Sequence, residues 1–144
     1  MPSTMRCEIV SAEREMFSGK VTMVVATGAV GDLGILPHHT PLLTSLQPGP
    51  VRVQLDDGTE ELFYVNGGYL EVQPKEVTIL ADVAERVEEM DEQAAEAARV
   101  AAREALEGKN KDMDYSAAAA QLAESLAQLR TIEHLRRKGG RGGK

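Results

Sequence analysis

Two adjacent histidines, His38 and His39, are the residues that most readily suggest metal or acid–base chemistry, and they lie in the segment GDLGILPHHTPLL that begins at Gly31. Neighbouring side chains of an extended backbone point to opposite faces, so both histidines cannot bind one metal ion. The third histidine, His134, lies far along the chain, and no cysteine or carboxylate cluster has ligand spacing. No serine or cysteine stands in a nucleophile-elbow motif. We therefore predict no metal site and no catalytic residue.

The same segment has the glycine spacing of a phosphate-binding loop, through Gly28, Gly31 and Gly34. Such a loop ends in Gly-Lys-Ser or Gly-Lys-Thr and leads into a long helix, and neither feature follows here. The glycines are better explained as residues that adopt positive φ in tight turns. Asp32 has no evident partner in the sequence, and local chemistry alone indicates a solvated turn residue.

Composition argues against several other classes of function. The chain has 144 residues, of which 42% are hydrophobic and only 3% aromatic, and its net charge is −7. The acidic body of such a chain is poorly supplied with stacking surfaces for bases, so we predict no nucleic-acid partner. One cysteine, Cys7, excludes an internal disulfide. Neither a long apolar run nor a signal-like start is present, so we expect a cytoplasmic chain that meets a membrane only through a complex.

Proline and glycine divide the chain into two parts. All six prolines lie at or before Pro74, and only Gly108 interrupts the later chain before the terminal GGRGGK. The earlier part contains short β-branched runs separated by turn residues, and several of them alternate, as in VRVQL at 51–55. This pattern predicts an all-β domain, a sandwich or flattened barrel, over residues 1–86.

The later part has the pattern of an antiparallel two-helix hairpin over residues 87–138, followed by a disordered, glycine-rich basic tail over 139–144. Asp91 is a candidate N-cap of the first helix, Gly108 ends it, and the second helix follows Asp114. Two stripes at helical spacing are expected to meet: Ala94, Ala98, Ala101 and Ala105 on the first helix, and Tyr115, Ala119, Leu122, Leu126 and Leu129 on the second. Because alanine buries little apolar area, we expect the hairpin to open reversibly.

Charge is concentrated at the C-terminal end. The last thirty residues carry six basic against two acidic side chains, a net charge of +4, on a chain that is acidic elsewhere. Basic residues near a helix C-terminus favour the helix dipole, and they could equally seek an acidic partner surface. Both interpretations stay open at this point; the basic residues are Arg130, Arg136, Arg137, Lys138, Arg141 and Lys144.

Four segments, in order and in register, resemble the ε subunits of bacterial rotary (F-type) ATP synthases: VSAEREMFSG from Val10, GDLGILPHHTPLL from Gly31, NGGYLEVQPKEVTILADVAER from Asn66 and DYSAAAAQLAESLAQLR from Asp114. The resemblance covers nearly the whole chain except the tail. It implies a ten-stranded β-sandwich followed by a two-helix hairpin. It also implies a non-catalytic central-stalk subunit that couples proton flow through the c-ring to ATP synthesis.

The resemblance further implies partners. The sandwich would bind the γ subunit, and the segment with Gly31, Asp32, His39 and Pro41 would contact γ and the c-ring, at the cytoplasmic face of the bacterial inner membrane. His38 stands where many members of the family have glycine. In an extended state the second helix would enter between the α and β subunits and block ATP hydrolysis through Leu122, Leu126, Leu129, Arg130, Arg136 and Arg137.

Some members of the family bind ATP through an [IL]DxxRA motif at the start of the first helix. Here the segment is MDEQAA from Met90, and Ala94 replaces the arginine, so we expect no cofactor and at most a weak nucleotide site at Asp91, Arg99 and Arg103. The alternative to a stalk subunit is a free-standing ligand-binding β-sandwich with a helical interaction appendage.

Overall fold

The computed structural model describes residues 3–108 and 114–142, with side chains described as far as residue 137. The chain divides into two compact units, Met1–Val87 and Glu88–Lys144. The first unit is built from strands and the second from two helices. Residues 139–142 of the predicted tail form the backbone of the end of the second helix, and residues 143 and 144 lie outside the described residues.

The described part of the first unit contains seven strands: β1 (Met5–Ser11), β2 (Glu15–Gly28), β3 (Gly31–Ile35), β4 (Leu42–Ser45), β5 (Gly49–Leu55), β6 (Glu60–Gln73) and β7 (Glu76–Arg86). They pair in the order β1-β7-β6-β5-β2-β3, and β1 also pairs with β2, so five of them close into a ring. β4 adds to β6. The β1–β7 pairing is parallel and the others are antiparallel. The result is a flattened, closed sheet.

The predicted β-sandwich is confirmed, but the expected ten strands are wrong, because the described chain forms seven. Long strands that bend serve in both layers. β6 pairs with β5 as far as Val65 and with β4 from Tyr69 onward. Between these positions Gly67 and Gly68 have φ of 74° and 110°, which lets the strand change direction without ending. A Cβ at Gly68 would lie 2.0 Å from the carbonyl oxygen of Leu80, so only glycine fits.

Alternating residues of these strands fill the space between the layers. Cys7 and Ile9 of β1, Val24 of β2 and Ile79 of β7 are almost fully buried, whereas their neighbours along each strand face outward. Apolar side chains on one phase of each strand therefore enclose a single core. Burial raises the pKa of the Cys7 thiol to about 12, so this cysteine is an unreactive core residue.

The second unit is the predicted two-helix hairpin, formed by α1 (Glu92–Leu106) and α2 (Tyr115–Gly142). A 3₁₀ turn, Val87–Glu89, precedes it. Asp91 caps α1 as expected: its Oδ1 accepts a hydrogen bond from the amide of Ala94 at 3.0 Å. Neither helix, over the residues that the structure describes, is long and apolar enough to cross a membrane.

The two predicted apolar stripes of the hairpin are only partly right: Ala105 is buried, and Ala98, Ala101, Leu122 and Leu129 are half-buried. Ala94 and Ala119 are exposed, and Tyr115 and Leu126 are 70% and 38% exposed. Two hydroxyl residues take buried positions instead, because Ser125 and Thr131 each donate a hydrogen bond to the carbonyl four residues earlier, at 2.8 Å, and so lose no partner on burial. The buried residues of the hairpin are Ala95, Ala102, Ala105, Ala118, Ser125, Ala127 and Thr131.

Candidate protein-interaction surfaces

Asp32 lies at one end of β3, next to the two-residue turn that joins β2 to β3. In the antiparallel register it faces Thr27, and Gly31 faces Gly28. The Asp32 side chain is exposed and makes no hydrogen bond or ion pair with any residue that the structure describes. At the tip, Val30 is 99% exposed. This hairpin therefore presents one unpaired carboxylate beside an apolar side chain.

His39 and Pro41 lie beyond the other end of β3. The His39 amide donates a hydrogen bond to the Leu36 carbonyl at 3.2 Å, with Pro37 at the second position and His38, at a φ of 69°, at the third. This is the pattern of a type II turn, whose third position favours glycine. At about 3.4 Å per residue, the ends of β3 lie roughly 14 Å apart. The four predicted contact residues thus form two separate surfaces, Gly31 with Asp32 and His39 with Pro41.

The turn accounts for the positive φ of His38. Its amide donates to the Pro74 carbonyl at 2.8 Å, which ties the turn to the connection between β6 and β7. The neighbouring His39 is half-buried, and its Nδ1 donates to the Thr40 carbonyl at 2.7 Å. Among the described residues, no three His, Cys, Asp or Glu side chains are placed to hold a metal ion. Both histidines take part in the turn from Leu36 to His39.

An apolar row on the outer face of the sheet was missed from the sequence. Tyr69 on β6 lies directly opposite Leu80 on β7, and Leu80 lies opposite Val10 on β1. Tyr69 is 57% exposed, Leu80 is 54% exposed, and Leu43 on β4, diagonal to Tyr69, is 67% exposed. We call these four residues the apolar row. The signal was present in the alternation of YLEVQ and VTILA, but it needed the strand register to bring the residues together.

The residues predicted for an inhibitory helix lie in two environments on α2. Leu122 and Leu129 are half-buried, whereas Leu126 and Arg130 are exposed. The two arginines near the end have ion-pair partners within the hairpin. Arg136 contacts Glu92 of α1 at 2.5 Å, which raises the pKa of its guanidinium, and Arg137 lies 3.4 Å from Glu133.

The three residues considered for a nucleotide site do not converge. Asp91 accepts a backbone hydrogen bond as the cap of α1. Arg99 is held by Glu96 of the same helix at 2.5 Å, an interaction that lowers the pKa of Glu96 and raises that of Arg99. Arg103 is exposed farther along the helix. Asp91 and Arg99 are thus both engaged within α1 itself.

Comparisons with known proteins decide the family. The model of the ATP synthase delta/epsilon chain β-sandwich domain matches residues 4–87, and that of the delta/epsilon long α-helix domain matches 88–133. The chain belongs to the ATP synthase delta/epsilon chain family. The resemblance found in the sequence is therefore confirmed, and the chain is, as in that family, a non-catalytic subunit of an ATP synthase.

Relatives match the family over almost the full chain. The ATP synthase epsilon chain of Chromohalobacter salexigens is 55% identical over 139 residues, covering 96% of this chain and 99% of the relative. The epsilon chain of Legionella pneumophila (strain Corby) is 57% identical over 138 residues, with the same coverage.

Solved structures share the fold at low identity. A chain of the Euglena gracilis mitochondrial ATP synthase, in its OSCP/F1/c-ring structure, has a TM-score of 0.71 at 20% identity and covers 95% of this chain and 82% of its own length. A chain of the Tetrahymena thermophila mitochondrial ATP synthase, from its central stalk and c-ring, has a TM-score of 0.56 at 16% identity and covers 92% of this chain and 96% of its own length.

Proposed function

We propose that the chain is a central-stalk (rotor) subunit that couples proton flow through the c-ring to ATP synthesis and restrains ATP hydrolysis through its helices. The proposal places it peripherally, at the cytoplasmic face of the bacterial inner membrane, with the γ subunit and c-ring as partners and α and β as partners in the inhibitory state. Its support is family membership together with surfaces suited to protein contact.

The apolar row carries the proposal. The row contains three exposed apolar side chains and the half-buried Val10, and such a set on the outside of a sheet is expected to be covered by another protein. Tyrosine is enriched at such interfaces because it buries a large rigid area. Polar residues flank the row, with Glu71 opposite Thr78 in the adjacent register. We therefore assign the row to the γ subunit.

The test is co-purification of γ with the full chain carrying Leu80→Asp. Full burial of a leucine side chain contributes about 2 kcal/mol, so the half that is exposed here contributes about 1 kcal/mol, and the buried charge weakens binding further. We expect affinity for γ to fall at least about tenfold. Val100→Asp is the control, since Val100 is 40% exposed but lies on α1, outside the row and outside the segment from Gly31 to Pro41.

Equal retention of γ by both variants would refute the assignment of the row. Failure of the unchanged chain to retain γ would instead favour a free-standing β-sandwich module.

The proposed inhibition by the helices is tested by truncating the chain before Glu88. The strand unit ends at Val87, so the truncated chain keeps its own core, and assembly with γ is expected to persist. ATP hydrolysis by the complex is expected to rise. Unchanged hydrolysis would refute the inhibitory role and leave the stalk role standing.

The proposed c-ring contact is tested by Asp32→Lys in the assembled complex. Because Asp32 is exposed and unpaired among the described residues, the substitution leaves the fold intact and reverses the charge offered to a partner. We expect weaker ATP-driven proton pumping with unchanged hydrolysis. Asp56→Lys, at the exposed turn between β5 and β6, is the control. Normal pumping by the Asp32 variant would contradict the contact.

A further inference from the structure

An ion pair joins the two helices at the open end of the hairpin. Arg136 Nη2, near the end of α2, donates to Glu92 Oε2 in the first turn of α1 at 2.5 Å, across 44 residues of sequence. Arg136 Nη1 also lies 3.5 Å from Glu133, which in turn lies 3.4 Å from Arg137. The pair is therefore the interhelical member of a network of four charges.

The position of this pair makes it important for the stability of the hairpin. The buried side chains of the hairpin are alanines and small hydroxyl residues, which remove little apolar area from water. The Glu92 carboxylate in the first turn of α1 also complements the dipole of that helix. Since networks of charges hold better than isolated exposed pairs, charge adds to the modest packing at the open end.

Arg136 is also a residue of the proposed inhibitory helix. When α2 leaves α1, its guanidinium moves away from Glu92. We propose that the Glu92–Arg136 pair is a latch that keeps the hairpin closed and must break before α2 leaves α1. This inference rests on the proposed inhibitory role. The latch sets how readily the hairpin opens.

The first test uses the assembled complex with Glu92→Gln, which keeps the size of the side chain and removes its charge. Inhibition of ATP hydrolysis should increase, because the ratio of open to closed hairpin rises by up to about fivefold, the upper end for exposed pairs. Glu96→Gln is the matched control. It removes an exposed carboxylate paired at the same 2.5 Å, but its partner Arg99 lies on α1 itself, so inhibition should not change.

Equal inhibition by the two variants would overturn the latch. Truncation before Glu88 is measured alongside: if it leaves hydrolysis unchanged, the inhibitory role fails, and the latch is then decided by the second test alone.

The second test needs no partner. Spin labels on Gln93→Cys and His134→Cys, both at exposed positions near the open end, report the separation of the helices in the full isolated chain. Cys7 is fully buried and does not compete for the label. With Glu92→Gln, a longer-distance population should grow by up to about fivefold relative to the Glu96→Gln chain. Identical distance distributions would overturn the latch independently of any effect on hydrolysis.

Discussion

Arg86, the last residue of β7, connects three strands at the point where the strand unit ends. Its Nη1 donates to Glu61 of β6 at 2.6 Å, and its Nη2 donates to the carbonyl of Met16 on β2 at 3.0 Å. The guanidinium carbon also lies 5.0 Å from the centre of the Phe63 ring. We predict that Arg86→Met destabilises the strand unit substantially, although methionine keeps most of the apolar stem.

The size of the effect follows from these contacts. A hydrogen bond to a charged group contributes about 1.5–3 kcal/mol. The Glu61 pair, with side chains 36% and 33% exposed, adds at most about 1 kcal/mol, and the cation–π contact adds about 0.5–1 kcal/mol. All three share one guanidinium and are not additive, so we expect a loss of about 2–3 kcal/mol. For a unit of this size that lowers the melting temperature by roughly 8–24 °C.

The assay is urea unfolding of the full chain, followed by near-UV circular dichroism of the buried Tyr64. The midpoint should fall while the slope stays constant, because only stability changes. Arg86→Lys, which keeps the charge but loses the fork of donors, should recover about half of the loss. A loss below about 0.5 kcal/mol for Arg86→Met, the level of an ordinary surface substitution, would refute the reasoning.

Three further predictions concern single residues of the strand unit. His38→Gly should stabilise it by about 0.5–1 kcal/mol, since a side chain at φ of 69° costs about 1–2 kcal/mol and glycine returns part of this as unfolded-state entropy; a melting temperature no higher than that of the unchanged chain would contradict this. Gly68→Ala should abolish folding or cost more than about 3 kcal/mol, because its Cβ meets the Leu80 carbonyl at 2.0 Å; a soluble variant with an unchanged melting curve would contradict this. Cys7, whose pKa is raised to about 12, should resist thiol reagents at neutral pH until the chain unfolds, and labelling of the folded chain would contradict this. The stability of the folded chain should also fall as the pH rises above 9.0, the ordinary pKa of a cysteine thiol, because the unfolded chain then loses the Cys7 proton first.

Much of the architecture could be predicted because local chemistry agrees with the tertiary structure. The cap at Asp91 needs only a side chain three residues before a free amide, and it forms as expected. The strand count could not be predicted in this way. Gly67 and Gly68 have the composition of a turn, but the pairing of β6 with β7 on both sides of them keeps one strand continuous.

The interaction surfaces were predicted less well. The single segment from Gly31 to Leu43 separates into two surfaces because β3 runs between Asp32 and His39. Leucine was expected inside the hairpin because it is hydrophobic, yet Leu126 is exposed. Ser125 and Thr131 are buried instead, because their hydroxyls donate hydrogen bonds to backbone carbonyls of their own helix. A search for apolar residues at helical spacing uses only their polarity and takes no account of such local hydrogen bonds.

The sequence by itself determined the two-part organisation, the alternation of the strands, the helix cap and the family, because these depend on residue types at short spacing. Only the tertiary structure decided that Val10, Tyr69 and Leu80 form one apolar row and that Glu92 meets Arg136. Both arrangements join residues far apart in the chain. They depend on strand register and on how two helices are aligned, and these are set by the packing of the whole unit.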